Sequence, residues 1–299
     1  MQPIVRTASL PHGIRLPYAD HGDSAGVPVL FLHGITDSWR SFEAVLPRLP
    51  PSIRAVALTQ RGHGDADRPD TGYRPQDFAD DVEAFLDVLG IERAVVVGHS
   101  MGGSVAQRFS IDHGDRVAGL VLVGARAAWH DHPDVAALIE QVAGGLSDPV
   151  DPRFVLEFQQ STLAQPVPPG WLEMAVAESL KLPARVWRSA FIQGVQQADL
   201  TAVLGGIRAR TLLICGELDT LARDGQDVLL AGIEHSQLVC YPGTGHALHW
   251  EDPDRFAADV TAFVRSLGID AGEPASRATA GCLPRIGGAR QPVAAVNPS

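Results

Sequence analysis

Six short apolar runs, each ending at glycine, proline or a polar residue and separated by amphipathic stretches, leave few folds open to this chain. They are Val29 to Leu32, Ala55 to Leu58, Ala94 to Val97, Leu120 to Val123, Leu212 to Cys215 and Leu238 to Tyr241. Continuous rather than alternating hydrophobicity suits strands covered on both faces. Between the runs, Phe78, Val82, Phe85, Leu86 and Leu89 share one face of a helix over Pro75 to Leu89, with Pro75 suited to N1 and Gly90 to C′. Phe256, Val260, Phe263, Val264 and Leu267 repeat the spacing, opened by Asp252-Pro253 and closed by Gly268. Strand and helix alternate, so the expected fold class is α/β: a mostly parallel sheet with helices on both faces.

The alternation lapses in 126–204. Helical segments around Val135 to Val142, Arg153 to Thr162, Trp171 to Leu180 and Arg185 to Val195 carry no clear strand there. The expectation is a core built from 1–125 and 205–269, a helical cap from 126–204, and a flexible tail from 270–299, where Gly, Pro, Ala and Ser dominate without periodicity.

One run leads straight into chemistry. Gly98-His99-Ser100-Met101-Gly102 follows the strand Ala94 to Val97 and opens a helix with Val105 and Phe109 on one face. A serine on so tight a strand-to-helix turn is backbone-strained, and its neighbours must lack Cβ atoms where the chain passes itself. A serine hydroxyl is a poor nucleophile at neutral pH unless a base lies within hydrogen-bond reach and a carboxylate orients that base. Both partners are expected at strand carboxyl ends. Asp219 stands just beyond the run Leu212 to Cys215, and His246 just beyond Leu238 to Tyr241. Ser100, Asp219 and His246 are therefore the expected catalytic residues, in the chain order nucleophile, acid, base.

These motifs resemble those of the α/β-hydrolase fold family, over roughly residues 15 to 268. His33-Gly34 looks like that family's oxyanion loop, Arg61-Gly62-His63-Gly64 like its turn after the next strand, and Gly245-His246 through Glu251-Asp252-Pro253 like its histidine loop. The resemblance departs at Thr59, where many relatives carry aspartate, and at Asp65 or Ala66, where they carry serine. It implies an oxyanion hole made by the backbone N–H groups of Ile35 and Met101, the latter at a helix N-terminus whose dipole favours negative charge. His33, Gly34, His99 and Trp129 are the expected substrate-binding positions. The implied activity is serine hydrolysis of a small or medium apolar carboxylic ester or lactone through an acyl-enzyme, with no cofactor and no metal. Enol-lactonases are similar in the His-Gly loop, elbow and histidine loop. A carbon–carbon bond hydrolase or a cofactor-free perhydrolase would use the same triad, and a hydrolase-fold ligand receptor would hold a ligand without turnover.

Other residues compete for these roles. Glu217 rivals Asp219, and Asp131 follows a strand from which some hydrolases draw the acid. His249 rivals His246, and His130-Asp131-His132 carries metal-ligating residue types, although three neighbours in a row face different directions on most backbones. Trp129, Phe154, Phe158, Trp171, Trp187 and Phe191 read as core of the cap, with one or two facing the pocket.

Composition narrows the partners. The chain has 299 residues, 45% of them hydrophobic, enough for one large core, and a net charge of −11 with no dense basic run. That charge offers no footprint for nucleic acid or an anionic membrane surface. Cys215, Cys240 and Cys282 show no metal-ligand spacing and read as buried thiols in a reducing compartment. With no apolar leader at Met1 to Arg6 and no run long enough to cross a bilayer, a cytoplasmic soluble protein is expected, acting on a small molecule, with homo-oligomerisation left open.

Overall fold

The computed structural model describes residues 2–269; the tail expected from Asp270 onward lies outside the described residues. Its strands are β1 (Ile4–Ser9), β2 (Arg15–His21), β3 (Val27–Leu32), β4 (Ile53–Leu58), β5 (Ala94–His99), β6 (Val117–Val123), β7 (Thr211–Gly216) and β8 (Ser236–Tyr241). They form one sheet in the order β1-β2-β4-β3-β5-β6-β7-β8. Every pairing from β4 to β8 is parallel, and only β1–β2 and β2–β4 are antiparallel. All six expected strands are present, each as part of a longer one. The hairpin β1–β2 is additional: β1 lies at the sheet edge with five of its six residues exposed, so no apolar run marks it.

The helices are α1 (Pro75–Val88), α2 (Met101–Asp112), α3 (Pro133–Gly145), α4 (Pro152–Ser161), α5 (Trp171–Ser179), α6 (Ala184–Ser189), α7 (Gln226–Gly232), α8 (Leu248–Glu251) and α9 (Pro253–Ser266). Helices α3 to α6, and a π-type segment at Ala190–Gln196, intervene between β6 and β7 as a helical insertion. Local chemistry fixes the ends of the core helices. In α1 Pro75 sits at N1, Asp77 accepts from the Arg74 N–H at 2.9 Å, and Gly90 takes φ +65° just past the end. In α9 the Asp252 side chain caps by accepting from Arg255 N–H at 3.1 Å.

Alternate residues of each central strand feed two separate cores. Leu30, Leu32, Val96, Leu120 and Leu122 pack under α1 and α2 with Phe78, Phe85, Val105 and Phe109. Val29, Phe31, Val95, Val97 and Val121 pack on the other face with Phe42, Phe256, Val260 and Phe263. Two-sided burial is why the runs are continuous. No helix among the described residues is long and apolar enough to cross a membrane.

One buried ion pair ties the loop after β4 to α1. Arg61 donates through Nε and Nη2 to the two carboxylate oxygens of Asp81, each at 2.6 Å, with side-chain exposures of 9% and 3%. Bidentate geometry of this kind compensates desolvation only while both partners are present. Asp81→Ala strands the guanidinium and should destabilise the fold by about 3–5 kcal/mol, read as a lowered denaturant midpoint at unchanged m-value.

Candidate active site

Ser100 occupies the turn between β5 and α2 with φ 52° and ψ −117°. A non-glycine residue there is strained, at a cost on the order of 1–3 kcal/mol. The surroundings enforce it. The Ser100 N–H donates to the Val123 carbonyl at 2.9 Å. A Cβ on Gly98 would meet the Gly102 carbonyl oxygen at 2.3 Å, and one on Gly102 would meet the carbonyl oxygens of Leu32 and His33 at 2.3 and 2.6 Å. The first turn of α2 therefore presses against the carboxyl end of β3, and Ser100 projects above the sheet.

The loops after β7 and β8 bring two further side chains to it. Asp219 accepts from the N–H groups of Leu221 and Ala222 at 2.9 and 3.0 Å through Oδ1, leaving Oδ2 to accept from His246 Nδ1 at 2.9 Å. The carboxylate can only accept, so the Nδ1 proton is fixed and Nε2 is the acceptor, 2.9 Å from Ser100 Oγ. Burial alone would raise the Asp219 carboxyl, but the His246 ring and the two N–H donors outweigh it and hold it below the ordinary value.

The competing residues lie elsewhere. Glu217 is exposed and accepts from the Gly243 N–H at 2.9 Å. Asp131 is 60% exposed and pairs with Arg126 at 3.3 Å. His249 is fully buried against Ser41, Nε2 to Oγ 3.1 Å, and makes no hydrogen bond to Ser100. His132 Nε2 donates to the Thr220 carbonyl at 2.9 Å. No group of three or more His, Cys, Asp or Glu among the described residues could hold a metal ion.

Ser100 opens into a cleft between the sheet's carboxyl edge and the insertion. Gly34, Ile35, His99 and His246 line its floor, and Trp129, Phe158, Phe191 and Val195 its roof. Three of the six insertion aromatics thus reach the cleft. Trp187, wholly buried, instead packs between Phe154, Phe158 and Phe191. His33 is a correction: it does not line the cleft. Its Nδ1 donates to the Gly34 carbonyl at 2.7 Å and its Nε2 accepts from the Gln60 N–H at 3.0 Å, so the ring braces the loop from behind. The N–H groups of Ile35 and Met101 make no hydrogen bond to another described residue.

Sequence reasoning missed Asp37, which lines the cleft at 5% exposure. It accepts from Ser41 Oγ and from Gln159 Nε2 of α4, each at 3.2 Å. Burial raises its carboxyl to about 7. The only sequence signal was an aspartate within the turn Ile35-Thr36-Asp37-Ser38, where Thr36 takes φ 67°.

Around the site, burial keeps four histidines neutral: His63 is lowered to about 4, His99 to about 3, and His33 and His249 well below the ordinary value. A folded-state pKa below the unfolded one means the unfolded chain binds more protons, so stability is lost as pH falls below about 6.5. Asp37 has the opposite sign, since its folded pKa is raised and it binds the extra proton when folded. Net of Asp37, these four imidazoles should make stability fall between pH 6 and pH 4 by up to roughly 4 kcal/mol per pH unit. Denaturant midpoints measured across that range check the slope; a flat profile would mean the imidazoles are not held neutral.

The sequence profile described as the alpha/beta hydrolase family matches residues 29–259. A 2-hydroxymuconate semialdehyde hydrolase of Pseudomonas sp. (strain CF600) is 30% identical over 271 residues, covering 84% of this chain and 91% of that protein. Among solved structures, the esterase RhEst1 from Rhodococcus sp. ECU1013 aligns with TM-score 0.76 and 29% identity, covering 88% of this chain and 99% of its own. A thermophilic esterase from Thermogutta terrifontis aligns with TM-score 0.77 and 26% identity over 89% and 99%. With its fold and its matched length both accounted for, the chain belongs to the alpha/beta hydrolase family.

Proposed function

We propose that this hydrolase cleaves a small or medium apolar carboxylic ester or lactone through an acyl-enzyme on Ser100. The observation that carries the reading is the hydrogen-bonded series Ser100 Oγ, His246, Asp219, each link 2.9 Å, opening into a cleft walled mainly by apolar side chains.

In this mechanism His246 Nε2 takes the Ser100 proton as Oγ attacks the carbonyl carbon. The oxyanion forms beside the N–H groups of Ile35 and Met101, and the dipole of α2 adds to its stabilisation. Asp219 stabilises the imidazolium without taking its proton. Collapse of the tetrahedral intermediate breaks the ester C–O bond, and the leaving oxygen takes the proton from His246. Water, deprotonated by the same nitrogen, then attacks the acyl carbon; the acyl C–Oγ bond breaks, Oγ takes the proton back from His246, and the acid leaves. Trp129, whose Nε1 donates to Ser104 Oγ at 3.1 Å, holds one apolar wall in place. The esterases among the aligned structures support the ester reading. The semialdehyde hydrolase relative favours a second one, cleavage of a carbon–carbon bond beside a ketone by the same residues.

A panel of p-nitrophenyl esters of graded acyl length, lactones and vinylogous 1,5-diketones separates the two. Turnover of esters or lactones with indifference to the diketones is expected; the reverse would overturn the ester reading. Ser100→Ala should abolish turnover without lowering the melting temperature, while Asp219→Asn should cost roughly 10⁴ in kcat, because the imidazole loses its tautomer and its counter-charge. Retention of more than about a hundredth of the wild-type rate in Ser100→Ala would contradict the assignment, since loss of an acylating nucleophile costs orders of magnitude more.

A further inference from the structure

Outside the triad, His99 and Asp37 bring polar atoms to the cleft wall beside Gly34. A Cβ on Gly34 would stand too close to His99 Nδ1, at 2.8 Å, and 3.4 Å from Asp37 Oδ2, so the glycine is what lets these two polar groups converge on the loop. Both groups line the cleft and both are buried, at 4% and 5% exposure. His99 Nε2–H donates to the His246 carbonyl at 3.1 Å, which leaves Nδ1 as a bare lone pair, and that atom has no partner. The Asp37 oxygens each accept one hydrogen bond, from Gln159 and Ser41, and each keeps a second lone pair. At pH 8 neither group brings a donor of its own to this point, since burial lowers His99 to about 3 and Asp37, raised to about 7, is mostly ionised there. A buried acceptor without a donor is costly, and a ligand that supplies one is favoured over an isostere that does not.

We propose that Asp37 and His99 Nδ1 form a hydroxyl-recognition subsite, in which one of these two acceptors takes the single hydroxyl proton, selecting esters whose acyl part carries a hydroxyl close to the scissile carbonyl. The proposal rests on the ester reading above and narrows it. Gly34 is bonded directly to Ile35, whose N–H faces the carbonyl oxygen in that reading, so the donor sits one or two carbons from the reacting centre, as in a 3-hydroxyacyl ester. A hydroxyl fits better than an ammonium group because most of the wall is apolar and desolvating a cation costs far more. Gln159 comes from α4 and also bonds Ser179 Oγ at 2.9 Å, so the insertion holds Asp37 in position over the floor.

The test compares p-nitrophenyl butyrate, 3-hydroxybutyrate and 3-methoxybutyrate at pH 8; the methoxy ester is close in shape but cannot donate. The hydroxy ester should be preferred over both by roughly tenfold or more in kcat/KM, and Asp37→Asn should shrink that ratio to within about threefold. Circular dichroism and the rate of fluorophosphonate labelling at Ser100 report whether that variant is folded, and the methoxy comparison in the wild-type protein needs no variant at all. Calorimetric binding of the three methyl esters to Ser100→Ala reads the subsite without turnover. Hydroxy-selective binding in the absence of any ester turnover would uphold the subsite and sink the ester reading. Equal binding and equal kcat/KM for hydroxy and methoxy esters would overturn the subsite.

Discussion

The close passage of α2 beneath the end of β3 governs the arrangement of everything above the sheet. Backbone from Gly102 lies against the Leu32 and His33 carbonyls with no room for a side chain, and Gly98 lies as tightly against Gly102. This contact forces Ser100 into a left-handed conformation that isolated serine avoids. Strain of that kind persists only when packing over-determines it. Here the two cores supply the packing: Val95 and Val97 point into one and Val96 into the other, so the strand that delivers Ser100 cannot shift by a residue without repacking both cores.

From that fixed point the remaining site geometry follows by register. Parallel pairing sets His99 opposite Val123 and Val123 opposite Ile214, and the next pairing sets Gly216 opposite Tyr241. The strand ends are thus level, and short loops from β7 and β8 suffice to reach Ser100. Gly124, at φ +49° just past β6, leaves the space through which Asp219 and His246 meet: a Cβ there would lie 3.1 Å from His246 Nδ1 and 3.2 Å from Asp219 Oδ2. Low solvent access around the triad strengthens each of its hydrogen bonds and makes an unmatched polar atom expensive. The same dryness keeps His33, His63, His99 and His249 neutral.

The parts legible in the sequence are those dictated locally. Continuous apolar runs betray strands buried on both faces, Pro75 and Asp252 mark helix starts, and Ser100, Asp219 and His246 could be singled out because each follows a run by a short, turn-like stretch. The edge strand β1 left no trace, because residues such as Arg6 and Ser9 face solvent and obey no period. Asp37 was invisible as a buried acceptor for a different reason. Its burial depends on Gln159, 122 residues away on α4, and no spacing rule reports that meeting. His33 misled because a histidine beside a reactive loop looks the same in sequence whether its ring faces the cleft or, as here, braces the Gln60 backbone from behind.

The account stands on Ser100 being an activated nucleophile, and covalent labelling tests that without any assumption about substrate. Incubation with a fluorophosphonate, followed by trypsin and mass spectrometry, should give one adduct per chain, confined to the peptide Ala94–Arg108 and located on Ser100. Labelling should collapse in His246→Ala, which removes the proton acceptor 2.9 Å from Oγ. A folded protein that stays unlabelled, or that carries its adduct on any other residue, would contradict the account.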